Sequence, residues 1–145
     1  MYTIGQVSKM FDLPVSTLRY YDKEGLFPNI ERKSGIRIFS EKEIETILVI
    51  NCLKKSGLEI KDINLFMKWC EKGNRTINLR KNLFEKQEKL VKTQLEELNK
   101  IYSMIQFKCW YYNEAEILGD EQLVADKIPN KLPQNIKALY EYSHS

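Results

Sequence analysis

Residues that build cross-linked or metal-binding sites are scarce in this chain. Its three cysteines, Cys52, Cys70 and Cys109, lie far apart with no CxxC pair, and an odd number closes no complete disulfide framework. The single histidine, His144, sits beside the C-terminus. A zinc site within one chain usually takes four sulfur or imidazole ligands, so no metal and no other cofactor is expected. Catalytic signatures are missing as well. There is no Gly-rich phosphate loop, no His-centred triad and no carboxylate pair in a recognisable motif, which argues against an enzyme. No apolar run approaches a membrane span, and the chain does not start on a basic region leading into a signal sequence. A cytoplasmic protein without a membrane partner is expected.

The two signs of charge nearly balance, with 23 Lys and Arg against 20 Asp and Glu. The net charge is +3, and it is uneven: residues 1–72 carry +2, residues 73–112 carry +4 and residues 113–145 carry −3. This balance permits nucleic-acid binding without demonstrating it, since a strongly basic surface is the usual footprint. A hydrophobic fraction of 43% with 11% aromatics suffices for a buried core. The 145 residues suit one core-forming domain plus an appendage.

Along the chain, Thr3 and Gln6 fit a capping box, and Ile4, Val7 and Phe11 then share one helical face. Asp12-Leu13-Pro14 breaks this helix, and Pro14 opens the next, where its missing N–H costs little. Gly25 stands where a helix end wants a left-handed residue. Between Ile30 and Phe39, Ser34-Gly35 separates two short runs, and Ile36 and Ile38 alternate with Arg37 and Phe39. This predicts a small β-hairpin with basic flanks. Ser40 and Glu43 form a second capping box before a helix apolar almost all round, so a central one. Gly57 ends it. Ile60, Ile63, Met67 and Cys70 mark an amphipathic helix that stops at Gly73.

From Thr76 to Tyr112 there is neither Pro nor Gly. Val91, Leu95, Leu98, Tyr102, Ile105, Cys109 and Tyr112 follow an alternating four–three spacing, the mark of a coiled-coil seam. At about 1.5 Å per residue such a helix runs on the order of 50 Å, too far to bury its stripe on a domain of this size. It needs a partner helix, most simply from a second copy. Beyond Gly119 the tail carries Pro129, Pro133 and a short amphipathic stretch with Ile136, Leu139 and Tyr140. Three regions are expected: 1–72, 73–118 and 119–145.

The second helix holds the most informative pattern. At 100° per residue, Val15, Leu18 and Tyr21 face one way, whereas Ser16, Arg19, Tyr20 and Lys23 line the other. A solvated polar face is the plain reading of an isolated helix. Combined with a short-turn helix pair and a basic hairpin, the pattern fits a helix-turn-helix whose second helix enters the major groove. Arg19 then suits a guanine edge, and Ser16, Thr17 and the Tyr20 hydroxyl suit phosphates. Arg32, Lys33 and Arg37 on the hairpin suit the flanking backbone. Thr3, Lys23 and Phe39 complete the candidate DNA-binding set.

The runs YTIGQVSKMFDLPVSTLRYYDKEGLFP, RKSGIRIFSEKEIETI and LKKSGLEIKDI resemble the MerR family of bacterial transcription regulators. The likeness covers roughly the first 70 residues, with its elements in order and at family spacing. It implies an all-α fold with a small β-hairpin wing, in which a winged helix-turn-helix precedes a long antiparallel coiled-coil dimerisation helix. It further implies a homodimer on a pseudo-palindromic operator in double-stranded promoter DNA. Bending and untwisting of the promoter then let RNA polymerase engage both promoter elements. Ile36 and Phe39 depart from the pattern, because the family's wing often carries tyrosines there. An architectural DNA-bending winged-helix protein without an inducer is the alternative. A dedicated dimer seam disfavours it.

Metal-sensing relatives carry cysteines at the start of the dimerisation helix and near its end. Here Thr76 and Ile77 open that helix, and no cysteine follows Tyr112. The stretch INCLKKSGLEIKDI, followed by GNRTINLRKNL, instead resembles a branch responding to aldehydes and other thiol-reactive electrophiles. Cys52 stands at the proposed sensor position. Neighbouring Lys54 and Lys55 favour a thiolate, whereas a cysteine in an apolar helix is commonly an inert packing residue; both readings remain open. Cys70 and Cys109 read as small residues on apolar stripes. Trp110, Tyr111 and Tyr112, with Tyr140 and Tyr142, read as anchors for a returning tail, with a small-molecule inducer site as the second reading.

Overall fold

The computed structural model describes all 145 residues, Met1–Ser145. Seven helices and one two-stranded antiparallel sheet follow one another along the chain. No helix is long and apolar enough to cross a membrane.

Helix α1 (Ile4–Phe11) starts at the anticipated capping box: Gln6 N–H donates to Thr3 Oγ1 at 3.2 Å, and Thr3 N–H donates to Gln6 Oε1 at 2.9 Å. Asp12 closes it in the left-handed conformation, φ 51°. Helix α2 (Val15–Lys23) begins one residue later than the sequence suggests, because Pro14 serves as its N-cap, its carbonyl accepting from Thr17 and Leu18 N–H. Gly25, at φ 82°, turns the chain out of α2, and Leu26 N–H returns to the Tyr21 carbonyl at 3.0 Å. The helix end is therefore sealed rather than frayed.

Strands β1 (Glu31–Lys33) and β2 (Ile36–Ile38) pair in the register Glu31↔Ile38, Arg32↔Arg37 and Lys33↔Ile36. Ser34 and Gly35, both at positive φ (51° and 80°), make the two-residue turn whose twist suits a tight hairpin. Beyond β2, Phe39 exchanges two 2.8 Å backbone hydrogen bonds with Tyr2, which ties the base of the hairpin to the N-terminus. Helix α3 (Glu41–Lys55) opens on the Ser40–Glu43 capping box, and α4 (Ile60–Glu71) leads into a 3-10 turn at Gly73–Thr76. Helix α3 is not buried all round: Ile47, Ile50 and Leu53 are covered, but Leu48 is half exposed.

Helix α5 (Ile77–Leu118) is 42 residues long and contributes to two compact units, Met1–Gln87 and Glu88–Ser145. The division between these units falls inside α5. Two local contacts explain it: Leu83 packs on the first core, and the Gln87 amide donates to the Ser56 carbonyl and hydroxyl at 3.1 and 2.9 Å. The first core joins Val7, Leu18, Tyr21, Phe39, Ile50 and Ile63, all no more than 1% exposed, with their neighbours from α1 to α4. Each such side chain contributes about 1.5–3 kcal/mol through burial.

In the second unit the tail folds back through α6 (Glu121–Ala125), an element the sequence reading does not contain, and α7 (Gln134–Ser143). Val124, Leu132 and Ile136 close on Phe107 and Tyr111 of α5. The Tyr140 ring lies 5.3 Å from that of Phe107, tilted by 58°, and Tyr111 donates its hydroxyl to Glu121 at 3.0 Å. Burial first, and then that carboxylate, hold the Tyr111 phenol above its ordinary pKa.

Candidate nucleic-acid interface

Helix α2 separates its faces as its periodicity requires. Leu18 and Tyr21 are 0% and 1% exposed, whereas Ser16, Arg19, Tyr20 and Lys23 are all exposed, and Thr17 lies at the boundary. Arg19 makes no ion pair, so its planar fork is unspent, as bidentate base recognition requires. The buried face is pinned from behind. Lys54 of α3 donates to the Tyr21 hydroxyl at 3.2 Å and lies 5.5 Å from that ring's centre. Lys54 therefore serves α2 and directs its ammonium there.

The hairpin is fastened to this helix by one carboxylate. Asp22 Oδ2 accepts from Arg37 Nε at 2.6 Å and from Arg32 Nη2 at 3.1 Å, and the Asp22 side chain is only 13% exposed. Arg32 also reaches the Gly35 carbonyl across the turn at 3.4 Å. Of the three hairpin cations, Lys33 alone has no ion partner. Thr3 is exposed near the start of α1; its oxygen caps the helix, which leaves the hydroxyl proton to donate.

Phe39 requires a correction. Its side chain is fully buried, edge-on to Phe27 with ring centres 5.4 Å apart, and has no surface to offer a duplex. It lies past the end of β2, so hairpin alternation does not govern it, and its pairing with Tyr2 turns it into the core. Ile36, by contrast, is 60% exposed at the hairpin tip.

One surface escaped the sequence reading. A cleft of about 550 Å³ beside α2 is lined by Tyr20 and Glu24 and, from α4, by Lys61, Asn64 and Lys68. The seven-residue spacing of Lys61 and Lys68 places both on one helical face, and this was the available signal.

The seam residues Leu95, Leu98, Tyr102, Ile105 and Tyr112 are each 55–61% exposed; Cys109 is exposed with them, and Val91 is half-buried. Ser103, Phe107 and Tyr111 occupy the opposite face of α5, beneath the tail. Cys52 is exposed in the last turn of α3, which removes the core-packing reading of that thiol. Cys70 is half-buried against the first core. Of the aromatic anchors, Tyr111 is buried and Trp110 and Tyr140 are half-buried, whereas Tyr112 and Tyr142 are exposed.

With this geometry in place, residues 2–68 match the family model of the MerR HTH family regulatory protein. An uncharacterised HTH-type transcriptional regulator of Haemophilus influenzae is 37% identical over 124 residues, spanning 85% of this chain and 92% of that protein. The HTH-type transcriptional regulator AdhR of Bacillus subtilis is 42% identical over 81 residues, 55% of this chain and 58% of the relative. Among solved structures, HiNmlR, a MerR family regulator lacking the sensor domain and bound to promoter DNA, superposes with a TM-score of 0.72 at 36% identity. That alignment covers 84% of this chain and 98% of HiNmlR.

Proposed function

The chain belongs to the MerR family of HTH transcription regulators, and from that premise we propose that it works as a homodimer on a pseudo-palindromic site in promoter DNA. In each protomer the outer face of α2 enters the major groove. Arg19 reads a base edge there, while Ser16, Thr17, Tyr20 and Lys23, with Thr3 and Lys33, hold phosphates. The α5 stripes of two copies pair in antiparallel fashion and set the distance between half-sites. By bending and untwisting the promoter, at a deformation cost of several kcal/mol offset by dimer contacts, the complex lets RNA polymerase engage both promoter elements. The protein acts in the cytoplasm, and its task involves no catalysis.

The observation that carries this reading is the combination of an unpaired, exposed Arg19 with a hairpin fastened to the same helix. The relative HiNmlR, bound to promoter DNA, supports the partner. The exposed α5 stripe favours a dimeric regulator over an architectural protein. Cys52, exposed on α3, is the proposed point of attack for an electrophilic inducer.

Transcription in vitro from the gene's own promoter tests the proposal. The protein should raise output from the native spacer and lose that effect when the spacer is shortened. Output indifferent to both the protein and the spacer would overturn it.

A further inference from the structure

The contacts of Asp22 assign it a task of its own. It occupies the penultimate position of α2, where the negative end of the helix dipole disfavours a carboxylate. It is nevertheless largely covered, and one of its oxygens receives both Arg32 and Arg37. Those arginines are direct cross-strand partners, an arrangement of like charges that destabilises a hairpin unless an anion lies between them. The carboxylate relieves that repulsion and, at the same stroke, joins β1 and β2 to α2. Asp22 Oδ2 is the only ion partner of either guanidinium.

We propose that Asp22 is a positioning residue for DNA specificity. It fixes the hairpin's angle to α2 and withholds Arg32 and Arg37 from the phosphates of arbitrary duplexes, which sets the ratio between promoter and random-sequence binding. This rests on the DNA-reading roles of α2 and the hairpin given above. Phosphate contacts are insensitive to sequence, so two loose arginines on a hairpin would strengthen every duplex alike. Held by Asp22, they contribute rigidity instead, and the fit of the hairpin depends on how α2 sits in its groove.

The test compares wild type, Asp22→Asn, Asp22→Glu and the triple variant D22N/R32Q/R37Q on the gene's own promoter duplex and on a random duplex across a salt series. Asp22→Asn should tighten random-duplex binding and steepen its salt dependence by about 0.9 in log–log slope for each arginine that reaches a phosphate. Promoter affinity should hold or fall, so the specificity ratio drops roughly tenfold over the usual salt range. Asp22→Glu keeps the charge but changes the reach; it should retain the shallow random-duplex slope and lose promoter affinity. The triple variant should return the random-duplex slope to the wild-type value, which a merely structural role would not do. A ratio and slope unchanged in Asp22→Asn, or a slope still steep in the triple variant, would overturn the proposal. A wild type without preference for its own promoter would instead mean that the DNA-reading assignment itself has failed, and the role of Asp22 with it.

Discussion

The two compact units solve the same packing problem to different degrees. In Met1–Gln87 the apolar faces of four helices close on one another, and what remains outside along α2 is polar or charged. In Glu88–Ser145 the tail covers one side of α5 around Phe107 and Tyr111, while Leu95, Leu98, Ile101, Tyr102 and Ile105 stay more than half exposed. Exposed apolar residues scattered singly are ordinary, but a continuous stripe at helical spacing marks an association surface. The first unit builds its core from its own chain and presents polar side chains along α2, although Leu48, Leu65, Ile77, Leu79 and Phe84 stay 43–52% exposed; the second leaves a continuous apolar stripe uncovered. In the proposed function the first surface reads DNA and the second pairs with another copy.

Breaking the second unit should have the largest effect on DNA binding. Glutamates at both Leu95 and Leu98 place charge within the stripe and should yield monomers in sedimentation experiments. Promoter affinity should fall by at least 100-fold, about 2.7 kcal/mol, because half-sites are then bound singly. A dimer that survives both changes would move the seam elsewhere. The core of the first unit comes next: Phe39→Ala should cost about 3–5 kcal/mol in urea unfolding, as large-to-small changes at buried aromatics do. Unchanged stability with lost DNA binding would return Phe39 to the interface.

Arg19→Ala sharpens the contrast, since it should weaken promoter binding by about 1–3 kcal/mol while leaving dimer and fold intact. Equal binding by wild type and variant would take Arg19 out of base recognition. Smallest in stability is Cys52→Ser, an exposed change expected to stay within about 0.5 kcal/mol in thermal unfolding. It should abolish any transcriptional response to electrophiles with DNA binding preserved; a response that persists would place the sensor elsewhere.

Local signals made much of the fold legible. Both capping boxes, the turn at Ser34-Gly35, the stops at Gly25 and Gly57 and the uninterrupted helix after Thr76 all follow from residues within a few positions of one another. The two faces of α2 were legible for the same reason. What escaped depends on distant partners. Alternation set Phe39 beside Arg37, but its pairing with Tyr2 turns it inward. The acid in α2 gave no local hint that it would collect arginines 10 and 15 residues downstream. Lys61 and Lys68 gain meaning only when α4 is seen beside Tyr20.

The most direct test is the stoichiometry on DNA, read by analytical ultracentrifugation of a labelled duplex from the gene's own upstream region at low salt. Two chains should sediment with each duplex, with clear preference over a random sequence of equal length. A single chain per duplex, or equal binding to both sequences, would contradict the picture of two groove-reading units joined through α5.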